Sequence, residues 1–154
     1  MENKPKAYLM VGLSGSGKST WIINNLPDNI VVISRDIIRF KLGFTKGVDQ
    51  KAVLSKDKED TVTEYEMGMI HNYLSMGNDI VIDDINTGKY RKKMINYLRS
   101  EGAEVIGVVM DTQLDTCIQR RDGQIPAVNM RDIQKKMIPL DESEVDSIIY
   151  TKGE

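Results

Sequence analysis

Hydrophobic positions in this chain gather into short apolar runs separated by longer amphipathic stretches. "AYLMV" (7–11), "NIVVIS" (29–34), "DIVID" (79–83) and "EVIGVVM" (104–110) are nearly continuous and rich in branched residues, the pattern of strands buried on both faces. "SIIYT" (147–151) is a candidate fifth strand. Residues 19–25 read as a helix after the first run. From Thr61 a helical period sets in at Val62, Tyr65, Met69, Ile70, Tyr73 and Leu74, with Thr61-Val-Thr-Glu64 as its capping box. Tyr90, Met94, Tyr97 and Leu98 mark a helix ending near Gly102, and residues 115–121 and 127–137 read as two more. Strands alternating with helices predict an α/β fold, a parallel sheet of about five strands covered by helices on both faces. The polar, glycine-broken "FKLGFTKGVDQKAVLSKDKED" (40–60) is expected to be in part a mobile loop.

A chain of 154 residues without repeats, low-complexity stretches or a linker reads as one domain, 1–154. Lys and Arg number 21 against 23 Asp and Glu, a net charge of −2. That is not the bulk charge of a tight duplex binder, so any contact with nucleic acid must be local. The single Cys117 excludes an internal disulfide, and no Cys/His cluster offers a zinc site. No run approaches the length of a membrane span, and the N-terminus enters a strand, so a cytoplasmic protein without membrane contact is expected.

Candidate chemistry begins where the first strand stops. Gly12-x-x-x-x-Gly17-Lys18-Ser19 fits the nucleotide-binding P-loop pattern. Gly12, Gly15 and Gly17 let the backbone wrap an anion closely, and Ser14, Ser16 and Thr20 complete the small polar loop. The N–H groups of Ser16 to Ser19 would point inward at a helix start, where the dipole favours negative charge. Lys18 can reach the β- and γ-phosphates, and Ser19 can ligate Mg²⁺. ATP and Mg²⁺ are the expected ligands.

In such a sheet, ligands lie beyond the carboxyl ends of the strands. The second strand ends in "SRDIIRF", the third in "DDIN" and the fourth at Asp111, so Arg35, Asp36, Arg39, Asp83, Asp84 and Asn86 should share a rim with Lys18 and Ser19. A carboxylate beside bound phosphates either holds Mg²⁺ or accepts a proton from a nucleophile. Asp83 and Asp84 are both candidates for the first task, and strand alternation lets only one of them point into the site. Asp36 is a candidate for the second; the bland alternative is an N-cap aspartate beside a surface arginine.

"GSGKSTW", "SRDIIR" and "VIDDIN", in this order, resemble the kinase domain of the bacteriophage polynucleotide 5′-kinases. That family carries tryptophan after its "KST" (here Trp21), an "RDxxR" motif (Arg35-Asp36-x-x-Arg39) and a "DxN" after the third strand (Asp84-Ile-Asn86). The likeness runs from about Ala7 to Met137. It implies that Lys18 and Ser19 bind ATP phosphates and Mg²⁺, and that Asp36 is the general base for an acceptor 5′-hydroxyl. It also implies that Arg39 holds the acceptor's phosphate and that Asp84 orients the site. Arg35, Asp36, Arg39, Asp84 and Asn86 are thus the expected substrate contacts, with Ser19 and Asp84 taken as the metal ligands. A lid arginine clamps the transferring phosphate in that family. Here the lid segment "QRRDGQIP" is shorter, with Arg120 and Arg121 adjacent, and both remain candidates. The family's C-terminal phosphatase motif "DxDGT" does not occur.

His71 and Cys117 read as packed or solvated residues, and the nine methionines as core. Lys89-Tyr90-Arg91-Lys92-Lys93 reads first as a solvated helix face, and second as the local basic surface that the net charge otherwise denies. The reading is an ATP-dependent kinase acting on a hydroxyl, the 5′-OH of a DNA or RNA end. The rivals are a kinase of a nucleoside, sugar or antibiotic, and a nucleotide-binding regulator without transfer.

Overall fold

The computed structural model describes residues 3–47, 54–86, 88, 90–123 and 125–152. Five strands, β1 (Lys6–Val11), β2 (Val31–Ile33), β3 (Ile80–Ile82), β4 (Glu104–Met110) and β5 (Ser147–Thr151), form one parallel sheet in the order β2-β3-β1-β4-β5. Helices α1 (Lys18–Asn25), α2 (Arg35–Lys41), α3 (Lys56–Ser75), α4 (Arg91–Ser100), α5 (Leu114–Arg121) and α6 (Ala127–Lys136) alternate with them. The α/β architecture, five strands included, is the one the apolar runs predict.

The pleat sorts the core into two layers. Ala7, Leu9 and Val11 of β1 and Ile80 and Ile82 of β3 pack with Val62, Ile70 and Leu74 of α3 and with Ile95 and Leu98 of α4. Met10, Val81, Val108 and Met110 point the other way and pack with Ile22 and Trp21 of α1. A third, smaller cluster of Leu13, Cys117, Ile125 and Met130 seats the α5–α6 hairpin against the loop after β1. Cys117 is fully buried there, as a small core residue should be.

Two expectations about local structure need correction. The long helix starts at Lys56, not Thr61: Ser55 caps it by accepting from the Lys58 N–H, and Asp57 and Glu59 occupy its first turn. The polar "SKDKED" is a helix start, in which acids are favoured by the dipole, and the Thr61 hydroxyl donates to the Asp57 carbonyl inside the helix. Residues 48–53 of the stretch expected as a loop lie outside the described residues.

The second correction concerns the basic run after β3. Lys89 lies outside the described residues, and Arg91 is not a surface cation. It is 2% exposed, donating to the Ile138 carbonyl at 2.6 Å, the Pro139 carbonyl at 3.3 Å and the Glu144 carboxylate at 3.2 Å. One guanidinium thereby ties the start of α4 to the chain leaving α6. Lys92 and Lys93 remain exposed. His71 sits on the outer face of α3, 2.7 Å from Glu101, in keeping with a solvated histidine. Removing the Arg91 fork leaves the Ile138 and Pro139 carbonyls without that donor, while Glu144 keeps the Asp141 N–H. Arg91→Met should therefore cost roughly 3 kcal/mol in urea denaturation, while Lys93→Ala should stay within about 0.5 kcal/mol.

Candidate active site

The loop between β1 and α1 is shaped by contacts that leave no room for side chains. A Cβ on Gly12 would come within 2.7 Å of Ser16 Oγ and 2.9 Å of Met110 Cβ. Gly15 has φ +82°, and a Cβ there would lie 2.8 Å from the Cys117 carbonyl oxygen. Gly17 caps α1 in the left-handed conformation, and no side chain caps the first turn. Other residues hold the loop from behind. The Gly12 N–H donates to the Ile85 carbonyl at 3.2 Å. The Thr112 hydroxyl donates to the Ser16 carbonyl at 2.6 Å, and Arg120 Nη1 to the Gly15 carbonyl at 3.1 Å. Lys18 Nζ folds back onto the Gly12 carbonyl at 2.8 Å. Ser16 is 2% exposed, and its hydroxyl has no hydrogen-bond partner among the described residues. Carbonyls bonded outward, a cradle a Cβ would fill, an uncapped helix start and an orphaned hydroxyl together suit an anion. Ser19 and Thr20 follow on the exposed start of α1, and Ser14 is half-buried in the loop.

The strand pleat then divides the two acids after β3. Asp84 continues the face of Ile80 and Ile82, toward α3. It accepts from the Arg35 N–H at 2.9 Å and meets Glu66, which is 2% exposed on α3. Removal from water, together with the charge and hydrogen bond of Glu66, pushes the Asp84 carboxyl well above its ordinary range, against the pull of Arg35. Asp83 continues the face of Val81, toward α1. Burial pushes its carboxyl up, the Lys18 ammonium pulls it down, and Asp84 and Asp36 add to the push. The acid beside Lys18 is therefore Asp83. Asp84, taken from the sequence as metal ligand and substrate contact, joins β3 to α2 and α3.

Other expected substrate contacts also turn inward. Arg35 donates to Glu59 Oε2 at 2.7 Å, the Glu59 carbonyl at 3.2 Å, Thr63 Oγ1 at 3.0 Å and Glu66 Oε1 at 3.3 Å, all on α3. Asn86, at φ +56°, donates to the Met10 carbonyl at 2.6 Å and the Asp84 carbonyl at 3.2 Å, pinning the end of β3 to β1. Arg39 presents Nε and Nη2 to the two Glu59 oxygens, each at 3.0 Å, and Nη1 to Asp36 Oδ1 at 2.8 Å. The Arg39 guanidinium, then that of Arg35, holds the Glu59 carboxyl below the usual range although burial opposes it. Asp36 itself is half-exposed on the first turn of α2, whose N-cap is Ser34. It is thus not the cap, and its carboxylate is oriented by Arg39 alone among the described hydrogen bonds.

Arg120 and Arg121 end α5 against the loop. Arg120 reaches Gly15, as above, and Arg121 Cγ would touch a Cβ there at 3.3 Å while its Nε is buried without a partner among the described residues. Gln124 of the same segment lies outside the described residues. Among the described residues no group of three or more His, Cys, Asp or Glu is placed to hold a metal ion. A site that also uses nucleotide phosphates needs only one or two protein oxygens, and Ser19 and Asp83 can supply them.

Glu59, Thr63 and Glu66 were missed in the sequence. The signal was present: Val62, Glu66, Ile70 and Leu74 share one buried row of α3, so an acid interrupts an apolar stripe at helical spacing.

The model of an AAA domain family matches residues 8–134. No curated protein matches the chain. Similar solved structures include a chain of the Pnkp1/Rnl/Hen1 RNA repair complex (TM-score 0.74, 23% identity, covering 88% of this chain and 45% of that one). They also include a sugar kinase from Janibacter sp. (0.65, 15% identity, 96% and 84%) and the Mycobacterium tuberculosis APS kinase CysC in complex with AMPPNP and APS (0.56, 17% identity, 97% and 90%). The chain spans less than half the length of the RNA repair chain, and at these identities the likeness is one of fold. By its sequence match and its cradle, the chain belongs to the AAA domain family and folds as a kinase-like P-loop domain.

Proposed function

We propose that this chain transfers the γ-phosphate of ATP to a hydroxyl, and that the acceptor is the 5′-hydroxyl of a nucleic acid end. The observation that carries the reading is the rim of Lys18, Asp83 and Asp36. A phosphate cradle, a carboxylate beside its lysine and a second carboxylate held open by an arginine meet there. A nucleotide switch has no use for the last of these.

The loop backbone would take the ATP phosphates, and Lys18 would exchange the Gly12 carbonyl for the β- and γ-oxygens. Ser19 and Asp83 would hold Mg²⁺, which when bound supplies charge neutralisation across the phosphates. Asp36 would accept the proton of the attacking hydroxyl as the new O–P bond forms and the bond to the β–γ bridging oxygen breaks, releasing ADP. Arg39, its fork already shared between Glu59 and Asp36, would aim that base. Two N–H groups of Arg39 remain for an acceptor phosphate. Arg120 and Arg121, at the mouth of the cradle, are the candidates to meet the transferring group.

Transfer of label from γ-labelled ATP to a 5′-hydroxyl oligonucleotide tests the reading. Lys18→Ala should lower turnover by about 10²- to 10³-fold; full activity in that variant would end the P-loop kinase account. Asp36→Asn keeps shape and an acceptor for Arg39, so ATP affinity should hardly change while turnover falls by roughly 10²- to 10⁴-fold. If turnover survives and only the melting temperature drops, Asp36 is structural.

Asp83 gives a prediction with a pH signature. Its carboxyl is raised in the folded state, so the folded protein binds more protons than the unfolded chain between the ordinary carboxylate value and the raised one. Stability from this group therefore falls as pH rises through that window. Asp83→Asn should raise the stability of the nucleotide-free protein at neutral pH, with the gain vanishing below the ordinary carboxylate range. The same variant should lose transfer activity. Denaturation curves across pH in which Asp83→Asn is the less stable protein at neutral pH would contradict the placement.

A further inference from the structure

We infer that the first turn of α4 and the last turn of α6 form a track for the single nucleic-acid strand that trails from the 5′ end. This rests on the nucleic-acid reading above and gives it a surface. Arg91, buried against the Ile138 and Pro139 carbonyls, brings the start of α4 to the chain that leaves α6. Ile138 also packs on Gly88, where a Cβ would lie 3.0 Å from it. Lys92, Lys93 and Lys135 are exposed, and no described acid lies within ion-pair distance of them. Lys136 faces Asp132 at 3.9 Å, and Glu144 is taken by Arg91. Tyr90, 74% exposed, stands at the head of the track, and an exposed ring stacks on any base.

The start of α4 is tied to the end of β3. Asn86 is pinned to the Met10 carbonyl beside the phosphate loop, and its own carbonyl accepts from Arg91. A strand whose end lies at Asp36 and Lys18 meets these lysines next. Helix stability does not account for them. The first turn of α4 has no acid and no side-chain cap, and cations there oppose the helix dipole. On a chain of net charge −2, this local basic surface complements a phosphate backbone, and its small extent suits a single strand better than a duplex.

The test uses the whole chain and a Lys92→Glu/Lys93→Glu double variant. Two acceptors, a nucleoside 3′-monophosphate and a 5′-hydroxyl single strand of about twelve nucleotides, are compared at about 50 and 200 mM salt. Kinetics on the monophosphate should be unchanged. On the oligonucleotide the variant's KM should rise about tenfold. Two lost phosphate contacts should also remove about a sevenfold salt effect, from a slope near −0.7 per contact. Fluorescence anisotropy of the labelled strand without ATP reads the surface independently of catalysis. Weaker binding by the variant supports the track even if neither acceptor is phosphorylated, an outcome that would sink the kinase reading alone. Equal oligonucleotide binding by the two proteins, or none by the unaltered chain, overturns the track.

Discussion

Ile82, Asp83 and Asp84 occupy successive positions at the end of an extended strand, so their side chains must alternate between the faces of the sheet. That constraint assigns the acids of the rim. Asp84 follows Ile82 toward α3 and meets Glu66 and the Arg35 N–H. Asp83 follows Val81 toward α1 and meets Lys18. A shift of one residue would exchange them, placing an uncompensated acid among the Val62 and Ile70 side chains. On the α3 side Asp84 accepts from the Arg35 N–H, and on the other the Lys18 ammonium offsets the charge of Asp83.

From Asp84 the order passes to α3 and back to the candidate base. Glu59 bridges Arg35 and Arg39, Arg39 holds Asp36, and Arg35 also reaches Thr63 and Glu66. The pairs made by Glu59 and Asp36 are partly exposed and contribute little alone, whereas Glu66 is buried. Together they fix the angle of α2 on α3 and leave Asp36 with one defined partner at the rim. The rim is therefore positioned from behind by a helix that contributes no residue to the phosphate cradle.

The phosphate loop was legible because its chemistry demands a spacing that few other uses share, and the sheet because fully buried strands leave continuous apolar runs. Less legible was anything that depended on direction. Asp83 and Asp84 are equivalent in the sequence until the face occupied by α1 is known. Arg35 and Asn86 look like ligand contacts at a rim, and in the fold their side chains donate to α3 and to β1. Arg91 reads as one of several cations, and only the fold supplies the carbonyls of Ile138 and Pro139 that draw it inside. Ser55 was overlooked because the segment after it is too polar to show a period, although Asp57 and Glu59 suit a first turn.

The most direct measurement is a competition for label. The purified chain is given γ-labelled ATP and equal amounts of a 5′-hydroxyl oligonucleotide, a nucleoside 3′-monophosphate, a free nucleoside and a sugar. The account predicts label on the 5′ ends of the oligonucleotide and the 3′-monophosphate, with little on the nucleoside and none on the sugar. Efficient labelling of the sugar or the free nucleoside, with none on any oligonucleotide, would contradict it.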